Sequence, residues 1–94
     1  MEDRELLCEY LERQSEQAFA ELVARHVNLV YSTALRVVHE PEMALDVAQA
    51  TSILLARKAK SVRDPLALGG WLYRTASNTA ANALRADQRR HQIV

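Results

Sequence analysis

Residues that interrupt helices are scarce in this chain of 94 residues, which contains two glycines and two prolines. They fall in two places, Pro41 alone and a group formed by Pro65, Gly69 and Gly70. Proline disfavours helical geometry in the residue before it, and glycine permits turns, so helices are expected to stop at these points. No segment alternates polar and apolar residues for long enough to predict a strand. The sequence therefore predicts an all-α fold, a small bundle of about four helices.

Capping residues delimit the first two helices. Asp3 is predicted to cap a short helix that ends at the polar residues 13–15, and Ser15 to cap a long helix that reaches His39. Apolar residues on the long helix recur at three- and four-residue steps, so one face is expected to be buried. His26 lies on that apolar stripe and is interpreted as a hydrogen-bonded core histidine rather than a ligand.

Two further helices follow the first proline. Pro41 suits the first turn of a third helix, because its fixed φ is helical and its missing N–H has no partner there. Residues 58–70 are predicted to form a loop with a basic start, and the fourth helix begins at Trp71. The expected core face of the third helix comprises Ala44, Val47, Ala48, Thr51, Leu54 and Leu55.

Charge is distributed unevenly along the chain although it balances to zero overall. Residues 1–50 hold ten acidic residues and four Lys or Arg, whereas residues 51–94 hold eight Lys or Arg and two acidic residues. A basic half indicates a polyanion as partner, and an acidic half indicates contact with another protein. The alternative is a solvated surface with chance asymmetry.

Several classes of function lack support in the sequence. One cysteine and three scattered histidines give neither an internal disulfide nor a metal-ligand spacing, and Cys8 is expected to be a small buried or half-buried hydrophobe. No nucleophile motif, phosphate-binding glycine loop or carboxylate pair indicates an enzyme or a cofactor. No apolar run is long enough to span a membrane, and the acidic start lacks the basic region of an export signal. A cytoplasmic protein is therefore expected.

The fourth helix has an unusual polar face. At about 100° per residue, a sector about 80° wide contains Trp71, Arg74, Asn78, Asn82, Arg85 and Arg89, which we call the arginine face. A core does not require a tryptophan among arginines, whereas a single strand of nucleic acid offers bases for stacking and phosphates for the cations. An asparagine carries both a donor and an acceptor with which to read the edge of an unstacked base.

The loop before this helix is predicted to close over the same strand. Its candidate contacts are Lys58, Lys60, Ser61 and Arg63. Alternatives to DNA contact stay open for both parts of the arginine face. Its arginines would form a solvated surface with Asp87 as ion partner, and Trp71 would pack on Leu68 as a half-buried cap.

The third helix carries an exposed stripe opposite its predicted core face. The stripe lies within about 60° of Asp46 and comprises Glu42, Asp46, Gln49, Ile53 and Arg57, which we call the third-helix stripe. An isoleucine among exposed polar residues favours contact with another protein. The alternative is an ordinary solvated helix surface.

Several segments together resemble a known family. They are Ala18-Phe19, Leu29-Val30-Tyr31, Ala34-Leu35-Arg36, ALDVAQ at 44–49 and WLYRTASN at 71–78, followed by Arg85, Arg89 and Arg90. Over residues 15–91 the chain resembles region 2 of bacterial RNA polymerase sigma factors, most closely the extracytoplasmic-function group. The pairing of A-x-D-x-x-Q with W-L-Y-R-x-A-x-N is quite specific, whereas either motif alone is weak.

The resemblance implies a non-catalytic helical bundle without a cofactor. Such a domain docks on the clamp helices of the largest subunit of core RNA polymerase and opens promoter DNA at the −10 element. The resemblance places Asp46 and Gln49 against the polymerase. It places Trp71, Arg74, Asn78 and Arg85 on the melted non-template strand, with Asn78 lining the pocket for a flipped base. An anti-sigma protein is a further candidate partner.

Three features depart from the family pattern. Ser52 stands where a core phenylalanine is usual, which is expected to loosen the bundle. Asn82 stands where an aspartate is frequent, which removes a negative charge from the DNA side. The helix-turn-helix of region 4, which reads the −35 element, is absent from residues 1–94. The expectation is one region 2-like domain, either excised from a longer factor or a truncated relative.

Two other functions remain as alternatives. A helical protein-interaction module without DNA binding would explain the charge split but not Trp71 among arginines. A duplex-binding helix-turn-helix regulator is disfavoured, because residues 71–90 lack a preceding short helix and tight turn at the expected spacing.

Overall fold

Four helices and one 3₁₀ turn make up the computed structural model, which describes residues 1–62 and 67–93. The helices are α1 (Asp3–Arg13), α2 (Glu16–Val38), α3 (Pro41–Lys58) and α4 (Leu68–Ile93), and the 3₁₀ turn is Ala59–Ser61. These ranges contain no strand, which confirms the predicted all-α class. α2 packs against α1, α3 and α4, and α3 also packs against α4. Within the described ranges, no helix is both long and apolar enough to cross a membrane.

The start of α1 differs from the prediction. Glu2, rather than Asp3, occupies the N-cap position, and it makes no side-chain capping bond. Asp3 lies in the first turn, and its carboxylate contacts His26 of α2 instead, with 2.7 Å between Oδ2 and Nε2. A partner on another helix therefore replaces the local backbone as the contact of Asp3. The same contact confirms that His26 is a hydrogen-bonded histidine at the edge of the core.

The junctions on either side of α2 follow the predicted chemistry. Ser15 caps α2, since its Oγ accepts a hydrogen bond from the backbone N–H of Ala18 at 3.1 Å. α2 ends before His39, which adopts the left-handed backbone conformation with φ 58°. α3 begins at Pro41, and the Glu40 carboxylate accepts hydrogen bonds from backbone N–H groups of its first turn.

The connection from α3 to α4 is shorter than predicted. Lys58 is the last residue of α3, and α4 starts at Leu68, so Gly69 and Gly70 lie in its first turn rather than in a loop. Neither glycine has a positive φ, so neither needs its conformational freedom to make a turn. Burial of Leu68 in the core compensates for the poor helix propensity of the two glycines. Residues 63–66, including the candidate contact Arg63, lie outside the described ranges.

The core consists of two clusters along the bundle. The first joins α1, α2, α3, the 3₁₀ turn and the start of α4, and its largest members are Leu6, Leu7, Leu22, Val30, Leu55, Leu68 and Leu72. The second comprises Ala34, Val38, Ala44, Val47 and Ala80. The predicted core face of α3 is buried except for Leu54, which is half-buried. Cys8 is exposed, contrary to expectation, because α1 turns its Leu6 side inward and Cys8 lies about 200° away.

Candidate nucleic-acid interface and protein-binding stripe

The arginine face lies on the outer side of α4. Its exposed members are Arg74, Asn78, Asn82, Arg85 and Arg89. Leu72, Ala76 and Ala80 occupy the opposite side of the helix and are buried. With a rise of about 1.5 Å per residue, the face extends about 27 Å from Trp71 to Arg89. Burial of one side of α4 thus fixes an extended polar surface on the other.

Trp71 differs from the rest of the arginine face because it is half-buried. It packs against the first core cluster, of which Leu68 is a member. The packing predicted as an alternative role is therefore present, and it also holds the ring in a fixed position with part of its surface accessible. A Cβ added at Gly70 would lie 3.3 Å from Nη1 of Arg74, so the guanidinium folds back towards the first turn of α4. The absence of a side chain at Gly70 thereby leaves room for the Arg74 guanidinium beside the first turn of α4.

The ion pairs of α4 leave the cations of the arginine face available. Asp87, the only acidic residue of α4, pairs with Arg90 at 3.3 Å and with His91 at 3.6 Å. Asp87 is therefore not the ion partner that the alternative interpretation assigned to this face. Arg85 instead donates a hydrogen bond to the side-chain oxygen of Asn82, a neutral partner. Among the described residues, none of the three arginines of the face forms an ion pair.

The basic residues before α4 lie at the same end of the bundle as Trp71. Lys58, Lys60 and Ser61 are exposed. Ala59 and Val62 are buried in the first cluster, against which Trp71 also packs. Within residues 1–62 and 67–93, the 3₁₀ turn packs against α1 and α3, not against α4. Three of the four predicted contacts of this segment therefore share an end of the bundle with Trp71 without packing against the arginine face.

The third-helix stripe is exposed along its whole length, as predicted for Glu42, Asp46, Gln49, Ile53 and Arg57. Ile53 leaves 50% of its surface accessible. Leu45 leaves 60% accessible, and it lies about 40° from Gln49 around α3. The sequence interpretation missed Leu45, because this residue lies about 100° from Asp46 and so outside the 60° that defined the stripe. Two large apolar side chains therefore flank the polar centre of the stripe.

The two ends of the stripe have different surroundings. Asp46 lines a groove between α3 and α4, with Val47 and Ala83 in its apolar wall and Arg90 on the α4 side. Arg57 lies at the other end, where it lines a polar pocket together with Lys60. The structure therefore brings Arg57, one turn beyond Ile53 on α3, next to a predicted DNA contact.

Comparison with known proteins identifies the family. The family model described as sigma-70 region 2 matches residues 22–90 of the chain. The chain belongs to the sigma-70 region 2 family. Both the arginine face and the third-helix stripe lie inside the matched range, whereas α1 lies outside it.

Individual relatives give the same result for this sigma region 2 domain. The RNA polymerase sigma-H factor of Pseudomonas aeruginosa is 37% identical over 89 residues, which cover 95% of the chain and 46% of the relative. The ECF RNA polymerase sigma-E factor of Haemophilus influenzae is 38% identical over 84 residues, or 89% of the chain and 44% of the relative. The ECF RNA polymerase sigma-E factor of Escherichia coli K12 is 37% identical over 86 residues, which cover 92% of the chain and 44% of the relative.

These matches confirm the resemblance to the extracytoplasmic-function group. The chain spans about half the length of the curated relatives it matches. No solved structure gives a significant match.

Proposed function

We propose that this sigma region 2 domain acts in transcription initiation by joining core RNA polymerase to the melted −10 element. The third-helix stripe binds the clamp helices of the largest polymerase subunit, and the arginine face holds the non-template single strand. The observation that carries the proposal is that one rigid bundle exposes two surfaces of different chemistry on different helices. The bundle can thus contact a protein and a polyanion at the same time.

The DNA-binding part of the proposal rests on the neighbourhood of Trp71. An unpaired base stacked on an aromatic ring gains roughly 1–3 kcal/mol, which offsets part of the stacking lost when a duplex opens. The ring of Trp71 packs against the core, and the Arg74 guanidinium lies beside Gly70, the residue before Trp71 in the chain. Asn78 is exposed one turn further along α4, where its amide is available to the edge of a base. Stacking, phosphate binding and base reading thus follow one another on one helix face.

The polymerase-binding part rests on the composition of the third-helix stripe. Protein interfaces combine a few apolar anchors with polar groups that fix the orientation. Leu45 and Ile53 are large exposed hydrophobes on α3, and Gln49 lies between them in sequence and is also exposed. A solvated helix surface does not require two such residues on one side of the helix. Binding, rather than catalysis, is the contribution of this domain, and its place of action is the cytoplasm, with the polymerase.

A fluorescence-anisotropy titration tests the proposal against its two alternatives. The labelled ligands are a single strand carrying a −10-like sequence and the matched duplex, each with and without core polymerase. The proposal expects binding to core polymerase, and a preference for the single strand that strengthens when polymerase is present. A protein-interaction module would bind polymerase without preferring single-stranded DNA, and a helix-turn-helix regulator would prefer the duplex. Either result would contradict the proposal.

A further inference from the structure

A polar pocket opens at the end of the bundle that carries Trp71. It has a volume of about 450 Å³ and lies between the end of α1, the start of α2, the end of α3 and the 3₁₀ turn. Its polar lining consists of Tyr10, Gln14, Glu16, Arg57 and Lys60. The α1 and α2 side of this pocket precedes the residues matched by the family model, which begin at Leu22.

The walls of the pocket are fixed by packing. The Tyr10 ring lies 4.7 Å from the Phe19 ring, between centroids, and its hydroxyl donates to the carbonyl oxygen of Ala56 at 3.5 Å. Ala59, buried in the first core cluster, anchors the 3₁₀ turn on the opposite wall. The pocket is therefore a preformed feature of the fold, in which α1 and the end of α3 are held together.

The pocket carries an excess of positive charge. Arg57 and Lys60 are both exposed and line it, and Glu16 is the only acidic residue in the part of its lining that the structure describes. Among the described residues, Glu16 forms no ion pair within 4.0 Å of either cation. Arg57 is also favourably placed for the dipole of α3, since it lies in the last turn of that helix. The dipole alone does not explain why Lys60, beyond the helix, lines the same pocket.

We propose that Arg57 and Lys60 hold one backbone phosphate of the DNA strand whose bases lie on the arginine face. The proposal rests on the proposed function and replaces the polymerase contact predicted for Arg57. Arginine suits this role because its planar guanidinium binds two phosphate oxygens at once, while lysine adds a point charge. α3 and α4 run antiparallel, since Asp46 near the start of α3 and Arg90 near the end of α4 line one groove. The end of α3, which lines the pocket, and the start of α4, which carries Trp71, therefore lie at the same end of the bundle. The strand runs from α4 past the 3₁₀ turn to the end of α1.

A scan of the DNA backbone locates the phosphate. Single-stranded −10-like oligonucleotides, each with one uncharged methylphosphonate linkage, are titrated against the chain bound to core polymerase. The proposal expects one linkage whose neutralisation weakens binding to the parent chain by several-fold and has no effect on Arg57→Ala or Lys60→Ala. If Arg57→Ala remains sensitive at every linkage to which the parent is sensitive, the proposal is wrong.

Matched variants separate a phosphate site from a general effect of charge. Arg57→Ala is expected to flatten the salt dependence of single-strand affinity by about one unit, as one lost phosphate contact would. Glu16→Gln is expected to strengthen binding, because it removes an opposing charge from the pocket. Arg36→Ala removes an exposed arginine of α2 beside the second core cluster, and is expected to change neither quantity. Circular dichroism checks the fold of each variant, and Lys60→Ala repeats the test if Arg57→Ala fails to fold.

Two further measurements distinguish the possible failures. If Arg57→Ala weakens binding to a polymerase clamp fragment and leaves DNA binding intact, Arg57 is a protein contact and the pocket proposal is overturned. If Arg74→Ala also leaves DNA binding intact, the proposed function itself fails. Titration with inorganic phosphate tests whether the pocket binds free phosphate rather than a phosphate of DNA. Tight binding of free phosphate, together with a methylphosphonate scan that is the same for the parent and for Arg57→Ala, would overturn the assignment to DNA.

Discussion

His26 and Asp3 join the first two helices through one hydrogen bond of 2.7 Å, in which Nε2 of His26 donates to Oδ2 of Asp3. The two side chains are 19% and 29% exposed, so the contact is shielded from much of the solvent. Arg25 adds an ion pair to the other carboxylate oxygen at 3.4 Å. One carboxylate in the first turn of α1 therefore binds two residues of α2.

Replacing that carboxylate should loosen α1. Asp3→Ala is expected to lower the free energy of unfolding by about 1 kcal/mol, because a partly buried hydrogen bond and a weak ion pair are lost together. Urea unfolding followed by circular dichroism measures the change. Glu5→Ala is the control, since Glu5 is an exposed acid in the same turn. Equal effects of the two substitutions would mean that the contact with His26 contributes no stability.

Local signals in the sequence predicted the helix junctions correctly where the partner is local. Ser15 accepts a hydrogen bond from the N–H of Ala18, three residues along the chain, and Pro41 sets the geometry of its own turn, so neither depends on the rest of the fold. The contact between Asp3 and His26 spans 23 positions and two helices, so the capping rule could not reveal it. Tertiary contact decided the role of Asp3.

The start of α4 shows the other limit of sequence reasoning. The sequence predicts that Gly69 and Gly70 end a loop, but α4 begins before them, at Leu68, which is buried in the core. The angular positions of the arginine face and the third-helix stripe predicted their exposure well, because α4 and α3 each bury one side. The half-burial of Trp71 and the pocket around Arg57 depend on how the helices pack against one another. The periodicity of residues within one helix carries no information about that packing.

Filling the space beside Ser52 should stabilise the bundle. Ser52 is half-buried and lines a mostly apolar pocket with Val27, Leu55 and Leu72. Ser52→Phe is expected to raise the melting temperature, since burial of such a side chain is worth roughly 1.5–3 kcal/mol. The lost hydroxyl bond to the carbonyl of Ala48 is a bond within α3 and should cost little.

Ser52→Ala is the control for this result, because it removes the hydroxyl without filling the space. Calorimetric melting of both variants separates the two contributions. A melting temperature below that of the parent for Ser52→Phe would show that the neighbouring side chains have already closed the space and that the ring overpacks it.

Substitutions at the centre of the third-helix stripe should weaken the polymerase complex. Asp46→Ala and Gln49→Ala are each expected to cost about 1 kcal/mol or more in affinity for a clamp fragment, with the helical signal unchanged, since both side chains are exposed. Isothermal titration with the purified fragment measures the affinity. Glu12→Ala removes an exposed acid of α1 and serves as the control. Unchanged affinity in both stripe variants would make the stripe an ordinary solvated surface.

Asn78 should determine which base is preferred rather than how tightly the strand is held. Asn78→Ala is expected to abolish the preference among oligonucleotides that differ at one −10-like position, while much of the total affinity remains. The affinity is expected to survive because the phosphate contacts proposed for Arg74 and Arg85 are unaffected by this substitution. Asn28→Ala, an exposed asparagine of α2, controls for the loss of an amide. Base preference retained by Asn78→Ala would remove Asn78 from the reading of the strand.

Trp71 and Arg74 should contribute to strand binding in separable ways. Trp71→Ala is expected to cost about 1–3 kcal/mol of single-strand affinity with little change in the salt slope, whereas Arg74→Ala or Arg85→Ala should flatten the slope by about one unit. A salt series on the polymerase-bound chain measures both, with Arg90→Ala as the control because Arg90 pairs with Asp87. Since Trp71 also packs on the core, Trp71→Leu keeps an apolar side chain there and removes only the aromatic face. If Trp71→Leu holds the strand and opens promoters as well as the parent does, Trp71 is a packing residue and the strand does not stack on α4.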